Sequence, residues 1–203
     1  MKTFVLAGHE TSASMLNWSL YELMSDASLM SKVVEESETV FGPRASLTAP
    51  LPSSEELKGL QFTEACLRES LRKYSVVPLV VRRSMANTTL CGPGGEEHFI
   101  PQGTSVYLMI KGVHERPDIW PEPLRFIPSR FFEPVAPYTF LPFIDGPRNC
   151  LGQHLSLLES KVVLSLMVNR YEFSLVNADA SMPNPWIIPT ISLHGTHLTV
   201  KKR

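Results

Sequence analysis

The sequence predicts a mainly α protein with small β-sheets, on three observations. Apolar residues recur at helical spacing near both ends of the chain. Short β-branched runs lie between glycine and proline turns in the middle. Eight prolines fall between Pro117 and Pro147, which calls for an ordered but irregular meander.

Taken in order, Phe4 to about Ser25 reads as helix, with Leu16, Leu20, Leu23 and Met24 at helical spacing. Asp26 or Ser28 is suited to cap a second helix through Met30, Val33 and Val34, which Gly42-Pro43 stops. Ala45 to Ser54 carries two prolines and small polar residues and reads as a loop. Ser53 or Ser54 begins a helical turn, and a further helix covers about Leu60 to Tyr74. Val76 to Arg83 is strand-like, although Pro78 limits its pairing. Thr88 to Cys91, Phe99-Ile100 and Ser105 to Ile110 read as short strands, parted by Gly92-Pro93-Gly94-Gly95 and Pro101-Gln102-Gly103 turns. After the meander a long helix runs from about Leu151 to Tyr171, with Leu151, Leu155, Leu158, Val162 and Leu166 on one face. The tail to Lys201 carries a few more strands, closing a terminal hairpin.

Composition bounds the function. The chain has 203 residues, 43% hydrophobic and 19% charged, a balance that buries a core. Its formal net charge of −1, without a block of like charges, removes the electrostatic case for nucleic acid. No apolar run approaches the ~18 residues of a membrane-spanning helix. Met1-Lys2-Thr3-Phe4 does not open a signal peptide and enters at once what reads as the middle of a helix, so a truncated chain is expected. Cys66, Cys91 and Cys150 are odd in number and unspaced for CxxC, which argues against a disulfide framework or a structural zinc site. No dinucleotide fingerprint, phosphate-binding loop or nucleophile elbow occurs.

One cysteine stands apart. Phe140-Leu141-Pro142-Phe143-Ile144-Asp145-Gly146-Pro147-Arg148-Asn149-Cys150-Leu151-Gly152 places Cys150 just ahead of the long helix. A helix N-terminus favours thiolate over thiol through its partial positive charge and unpaired N–H groups. Gly146 permits a tight turn, and Gly152 lets a flat ligand approach the backbone. Arg148 is suited to a carboxylate, and Phe143 to covering the sulfur against water. Soft sulfur, shielding aromatic and arginine together suit a heme, the sulfur for iron and the arginine for a propionate.

This segment resembles the heme-binding signature of the cytochrome P450 family, F-x-x-G-x-R-x-C-x-G, with every fixed position filled. Three further segments occur upstream in the family's order. Glu69-Ser70-Leu71-Arg72 resembles its E-x-x-R helix motif. Phe126-Ile127-Pro128-Ser129-Arg130-Phe131 resembles its F-x-P-E-R-F motif, with Ser129 in place of the glutamate. Ala7-Gly8-His9-Glu10-Thr11-Ser12 resembles the oxygen-activating stretch of its central helix.

The resemblance implies the C-terminal part of the cytochrome P450 fold over residues 1–203, a single portion with the N-terminal half absent. It implies heme b (iron protoporphyrin IX) with Cys150 as axial iron ligand, and Arg148 and Arg82 on the propionates, with Arg83 adjacent as a substitute for Arg82. Phe143, Gly146, Gly152 and Ala7 would border the cofactor. Glu69, Arg72 and Arg130 would form a structural triad behind it. Gly8, Glu10 and Thr11 would handle dioxygen and protons, Glu10 and Thr11 as an acid–alcohol pair. Val76, Val77 and Val80 would line the pocket of a small apolar substrate, while Ser75 replaces a frequent proline. His114 reads as structural and not as a metal ligand. The reaction implied is monooxygenation with O2, with electrons from a separate reductase, either an NADPH-dependent flavoprotein or a ferredoxin. The parent protein would be membrane-associated, in the endoplasmic reticulum or a plastid. Two alternatives stand beside this: a heme-thiolate isomerase or dehydratase, and a truncated, inactive heme-binding fragment.

Overall fold

A computed structural model describes residues 2–45, 52–176, 182–184 and 187–203. Five helices and three two-stranded antiparallel sheets occur among them. Helix α1 (Lys2–Ser25) leads into α2 (Ala27–Phe41), and a 3₁₀ turn (Glu56–Gly59) precedes α3 (Gln61–Tyr74). Strands β1 (Val80–Arg83), β2 (Thr88–Cys91), β3 (Glu97–Ile100) and β4 (Ser105–Leu108) follow, then the short α4 (Ile110–His114). The meander contains one 3₁₀ turn (Pro128–Phe131) and ends at α5 (Gln153–Arg170), after which β5 (Tyr171–Leu175) pairs with β6 (Leu198–Lys202).

Local chemistry explains the boundaries. Asp26 caps α2: its Oδ1 accepts the N–H of Ser28 at 2.8 Å and of Leu29 at 3.3 Å, satisfying donors that the first turn leaves open. Gly42, at φ +77°, ends the same helix. Helix α3 ends at Ser75, whose φ of 42° places it in the left-handed region. That reversal, followed by Pro78, delays the strand, so β1 begins at Val80 and not at Val76. The strand expected to reach Ile110 stops at Leu108, and Ile110 begins α4, a single helical turn too short for a periodic signal. Of the loop expected over 45–54, residues 46–51 lie outside the described set, as do parts of the tail. Strand β1 pairs with β4 from Val80 opposite Leu108 to Arg83 opposite Ser105, and β2 with β3 from Thr88 opposite Ile100 to Cys91 opposite Glu97.

The main core joins four helices. Met15, Leu20 and Leu23 of α1 meet Val33 of α2, Cys66, Leu67 and Leu71 of α3, and Leu164 and Val168 of α5. Each fully buried leucine contributes ~1.5–3 kcal/mol of transfer free energy. A smaller cluster of Ala65, Trp120 and Phe131 lies beneath the meander. The apolar face read along α5 is not its packed face: Leu151 is 87% and Leu155 69% exposed, and Leu158 is exposed as well. The helix instead buries Ser160, Lys161, Leu164, Ser165, Val168 and Asn169. Small and polar side chains on that side let α2 approach closely. There the Ser37 hydroxyl donates to the Ser165 carbonyl at 2.9 Å, and Asn169 accepts the Ala45 N–H at 2.7 Å and donates to the Gly42 carbonyl at 3.0 Å.

Candidate functional site

The cysteine segment is a loop closed on itself. The Cys150 N–H donates to the Phe143 carbonyl at 2.9 Å, Ile144 N–H to Leu141 at 3.1 Å, and Asn149 N–H to Gly146 at 3.1 Å. Gly146 turns the chain at φ +80°, where a side chain would be strained, and Asp145 Oδ1 accepts its N–H at 2.6 Å. Ile144 adopts φ +62° although it is β-branched, a conformation that persists only where its surroundings fix it. No side chain caps α5 at Gly152, so the first-turn N–H groups keep their partial positive charge beside the cysteine. A Cβ built on Gly152 would come within 4.0 Å of the Cys150 sulfur.

Cys150 is exposed. The Phe143 ring packs partly against the main core. The three cysteines are unpaired: Cys66 is buried and Cys91 exposed on β2. Burial pushes the Cys66 thiol up, which makes it inert as a nucleophile or ligand.

Behind this loop lies a buried ion cluster. Arg72 and Glu69 are both fully buried, and the guanidinium grips the carboxylate through Nε at 2.7 Å and Nη2 at 2.8 Å. Arg130 Nε reaches the same carboxylate at 3.3 Å, and the Ile127 N–H donates to it at 2.9 Å. Arg72 also donates to the His114 carbonyl at 2.9 Å and to the Arg125 carbonyl at 3.2 Å. Ser129 takes no part in these bonds, so the departure from the motif leaves the cluster intact. Helix α3 and the meander are thereby locked together.

The helix α1 stretch faces the start of α5. Ser12 Oγ and Ser156 Oγ lie 3.2 Å apart, which brings the neighbour of Thr11 against the helix that Cys150 introduces. Thr11 is half-buried, and its hydroxyl donates to the Ala7 carbonyl at 2.6 Å. Ala7, Gly8 and Glu10 are exposed, and a Cβ on Gly8 would meet nothing within 4 Å.

The other expected residues are more scattered. Arg148 is exposed and forms no ion pair among the described residues. Arg82 is exposed on β1, its Nη1 donating only to the neighbouring Val81 carbonyl at 3.0 Å. Val76, expected at the substrate pocket, is buried in the main core and follows the left-handed turn at Ser75. Val77 packs partly on that core, and Val80 is half-buried opposite Leu108. His114 is fully buried with both ring nitrogens bonded, and no group of three His, Cys, Asp or Glu residues suited to a metal occurs among the described residues. Sequence reasoning missed the Thr190 carbonyl, which accepts the Ser14 hydroxyl at 2.5 Å and the Trp18 indole N–H at 2.8 Å and so ties α1 to the tail. A single threonine in an irregular tail carries no pattern to reveal that.

The structure thus combines a helix-rich unit, a cysteine loop opening its last helix and a buried glutamate–arginine–arginine cluster. The particular family follows from comparison: the family model for Cytochrome P450 matches residues 1–195, and this chain belongs to that family. It is similar to Cytochrome P450 4A10 of Rattus norvegicus, 34% identical over 202 residues, covering 98% of this chain and 38% of that protein. It is 35% identical over 208 residues to Cytochrome P450 4X1 of the same organism, covering 100% of this chain and 39% of that one. Taurochenodeoxycholic 6 alpha-hydroxylase of Sus scrofa is 34% identical over 202 residues, with 98% and 38% covered. The chain thus spans about two-fifths of the length of these relatives. Membership in the family implies a heme cofactor.

Proposed function

We propose that residues 1–203 form the heme-anchoring portion of a monooxygenase domain that binds heme b and places one atom of O2 into a small apolar substrate. The observation that carries this reading is the Cys150 loop: an exposed cysteine beside a glycine and an uncapped helix start, backed by an ion cluster whose Glu69 and Arg72 are fully buried. These residues fit a heme. Cys150 would ligate the iron, and Gly152 would leave room for the ring beside the sulfur. Arg148, with no carboxylate partner among the described residues, would take a propionate, and Arg82 or Arg83 the other.

When bound, the heme supplies reductive activation of dioxygen, one atom entering a C–H bond and the other leaving as water with two electrons and two protons. The chain's residues position and meter around that chemistry. Thr11 holds a proton on Oγ1, poised between its bond to the Ala7 carbonyl and the open space beside Gly8. Glu10, exposed one residue away, relays protons from solvent to that hydroxyl. Retention of this pair favours oxygenation over a heme-thiolate isomerase or dehydratase, which needs neither. The Glu69–Arg72–Arg130 cluster holds the meander that delivers the cysteine loop and touches no substrate.

The electrons come from a separate reductase, an NADPH-dependent flavoprotein or a ferredoxin. A membrane setting, in the endoplasmic reticulum or a plastid, rests on the family likeness. Among the described residues no helix is long and apolar enough to cross a membrane. A second reading has its own observation: the apolar faces at Phe4, Val5 and Leu6 and at Leu151 and Leu155 are exposed, so this chain alone would hold heme weakly.

Heme-supplied chain, a flavoprotein reductase, NADPH and isotopically labelled O2 form the test, with a small uncharged hydrocarbon as probe. Labelled hydroxylated product from the chain, replaced by peroxide release in Thr11→Ala, supports the monooxygenase reading. Turnover unaffected by Thr11→Ala overturns the role given to that hydroxyl.

A further inference from the structure

The Cys150 loop and the ion cluster are joined by a residue that neither motif contains. We propose that His114 is a positioning residue, coupling the Glu69–Arg72 pair to the cysteine loop by accepting the Leu141 N–H. The proposal deepens the reading of Cys150 as the heme ligand and rests on it for its consequence, though not for the coupling itself.

The hydrogen bonds close into a ring. The Leu141 N–H donates to His114 Nε2 at 2.9 Å, which assigns the ring proton to Nδ1. Nδ1 lies 3.0 Å from Ser75 Oγ, which in turn donates to the Arg72 carbonyl at 3.1 Å. Arg72 Nη1 completes the circuit by donating to the His114 carbonyl at 2.9 Å. His114 is fully buried, and the Phe140 ring lies 5.5 Å from its own, centroid to centroid. Every polar atom of the imidazole is therefore used, and none is left over for a metal or for water.

The far side of that ring is the start of the cysteine loop. The Leu141 carbonyl accepts the Ile144 N–H at 3.1 Å, and the Phe143 carbonyl accepts the Cys150 N–H at 2.9 Å. Three hydrogen bonds thus link the imidazole to the cysteine, two of them beyond Leu141. Ile144, between them, sits at φ +62°, where a β-branched side chain is disfavoured. Such a residue stays put only if its neighbours over-determine it. Fixing Leu141 from outside the loop supplies that constraint, whereas the loop's own bonds would relax together. Glu69 and Arg72 set where His114 stands, and His114 sets where the loop begins.

Amide hydrogen exchange on the heme-free chain tests the coupling without relying on the cofactor. Phenylalanine at 114 fills the site without an acceptor. Glutamine restores an acceptor and a donor on adjacent atoms. His114→Phe is expected to speed exchange across 141–150 by about tenfold, the effect of losing one hydrogen bond that gates the segment, with α2 and α5 unchanged. His114→Gln is expected to return it close to the original rate. Ser75→Ala, which keeps the Leu141 bond but frees the imidazole on its other side, is expected to fall between them, and serves where His114→Phe does not fold. A change confined to Leu141, or a uniform rise across all elements in both variants, would overturn the proposal.

The consequence is read on heme-loaded chain, reduced and carbon-monoxide-bound. The fraction of the absorption band at the thiolate position should fall in His114→Phe and recover in His114→Gln. A thiolate band unmoved by His114→Phe would overturn the coupling to the ligand. Absence of that band in every variant, with the exchange pattern as expected, would remove the Cys150 reading and leave the coupling standing.

Discussion

Replacing Glu69 by leucine isolates what the buried cluster contributes. The Glu69 carboxylate takes Arg72 Nε at 2.7 Å and Nη2 at 2.8 Å, the Ile127 N–H at 2.9 Å and Arg130 Nε at 3.3 Å, with both Glu69 and Arg72 shut off from water. Taking away the carboxylate strands the Arg72 charge in the interior, and breaking such a pair costs ~3–5 kcal/mol. Arg72 keeps two carbonyl acceptors, those of His114 and Arg125, which places the loss near the lower end, ~3 kcal/mol. The double variant Glu69→Leu with Arg72→Met removes both charges and their desolvation cost together. Its loss should be smaller than that of Glu69→Leu alone by at least ~1 kcal/mol. Urea unfolding followed by far-ultraviolet circular dichroism near neutral pH measures both, with unchanged slope as the check that the same transition is followed. Losses for the double variant equal to the sum of the two singles would refute the argument, since independent sites add and a buried pair does not. A loss under ~1 kcal/mol for Glu69→Leu would refute it too, because that is the scale of an exposed pair.

Two further outcomes follow from the same geometry. Burial, and secondly the Arg72 charge, lower the His114 pKa from 6.5 to about 4. The unfolded chain therefore binds that proton first, so the stabilisation is whole above about pH 6.5 and is lost as pH falls toward 4, by ~3 kcal/mol in total. Urea midpoints across that range should fall in the parent chain, and His114→Gln should flatten that part of the slope. Separately, Ile144→Asn places a residue tolerant of the left-handed region at φ +62°. It is expected to raise Tm by ~2–4 °C in a thermal scan, the equivalent of ~1 kcal/mol for a chain of this size. A lower Tm would show that the isoleucine side chain contributes more than its backbone costs.

Much of this was legible in the sequence, because the chemistry is carried by short, closely spaced motifs. Helix α2 was announced by its Asp26 cap and Gly42 stop, and α3 by its spacing and the E-x-x-R pair it carries. What stayed hidden depends on contacts between distant segments. The exposed side of α5 holds leucines at helical spacing, while the packed side mixes Leu164 and Val168 with Ser160, Ser165 and Asn169. Periodicity reads apolar character and cannot tell which face will find a neighbour. The burial of Val76 in the core, beside the left-handed turn at Ser75, is likewise marked by no local pattern. The His114 ring unites residues from three segments up to 69 positions apart in the chain, counting from Arg72 to Leu141, and no local pattern encodes it.

The most direct test of the central claim is the carbon-monoxide difference spectrum of the reduced, heme-supplied chain, recorded beside Cys150→Ala. A Soret band is expected at the red-shifted position that gives the cytochrome P450 family its name, lost in the variant while the circular dichroism spectrum is unchanged. Heme bound to the same extent and with the same spectrum without the Cys150 sulfur would contradict it.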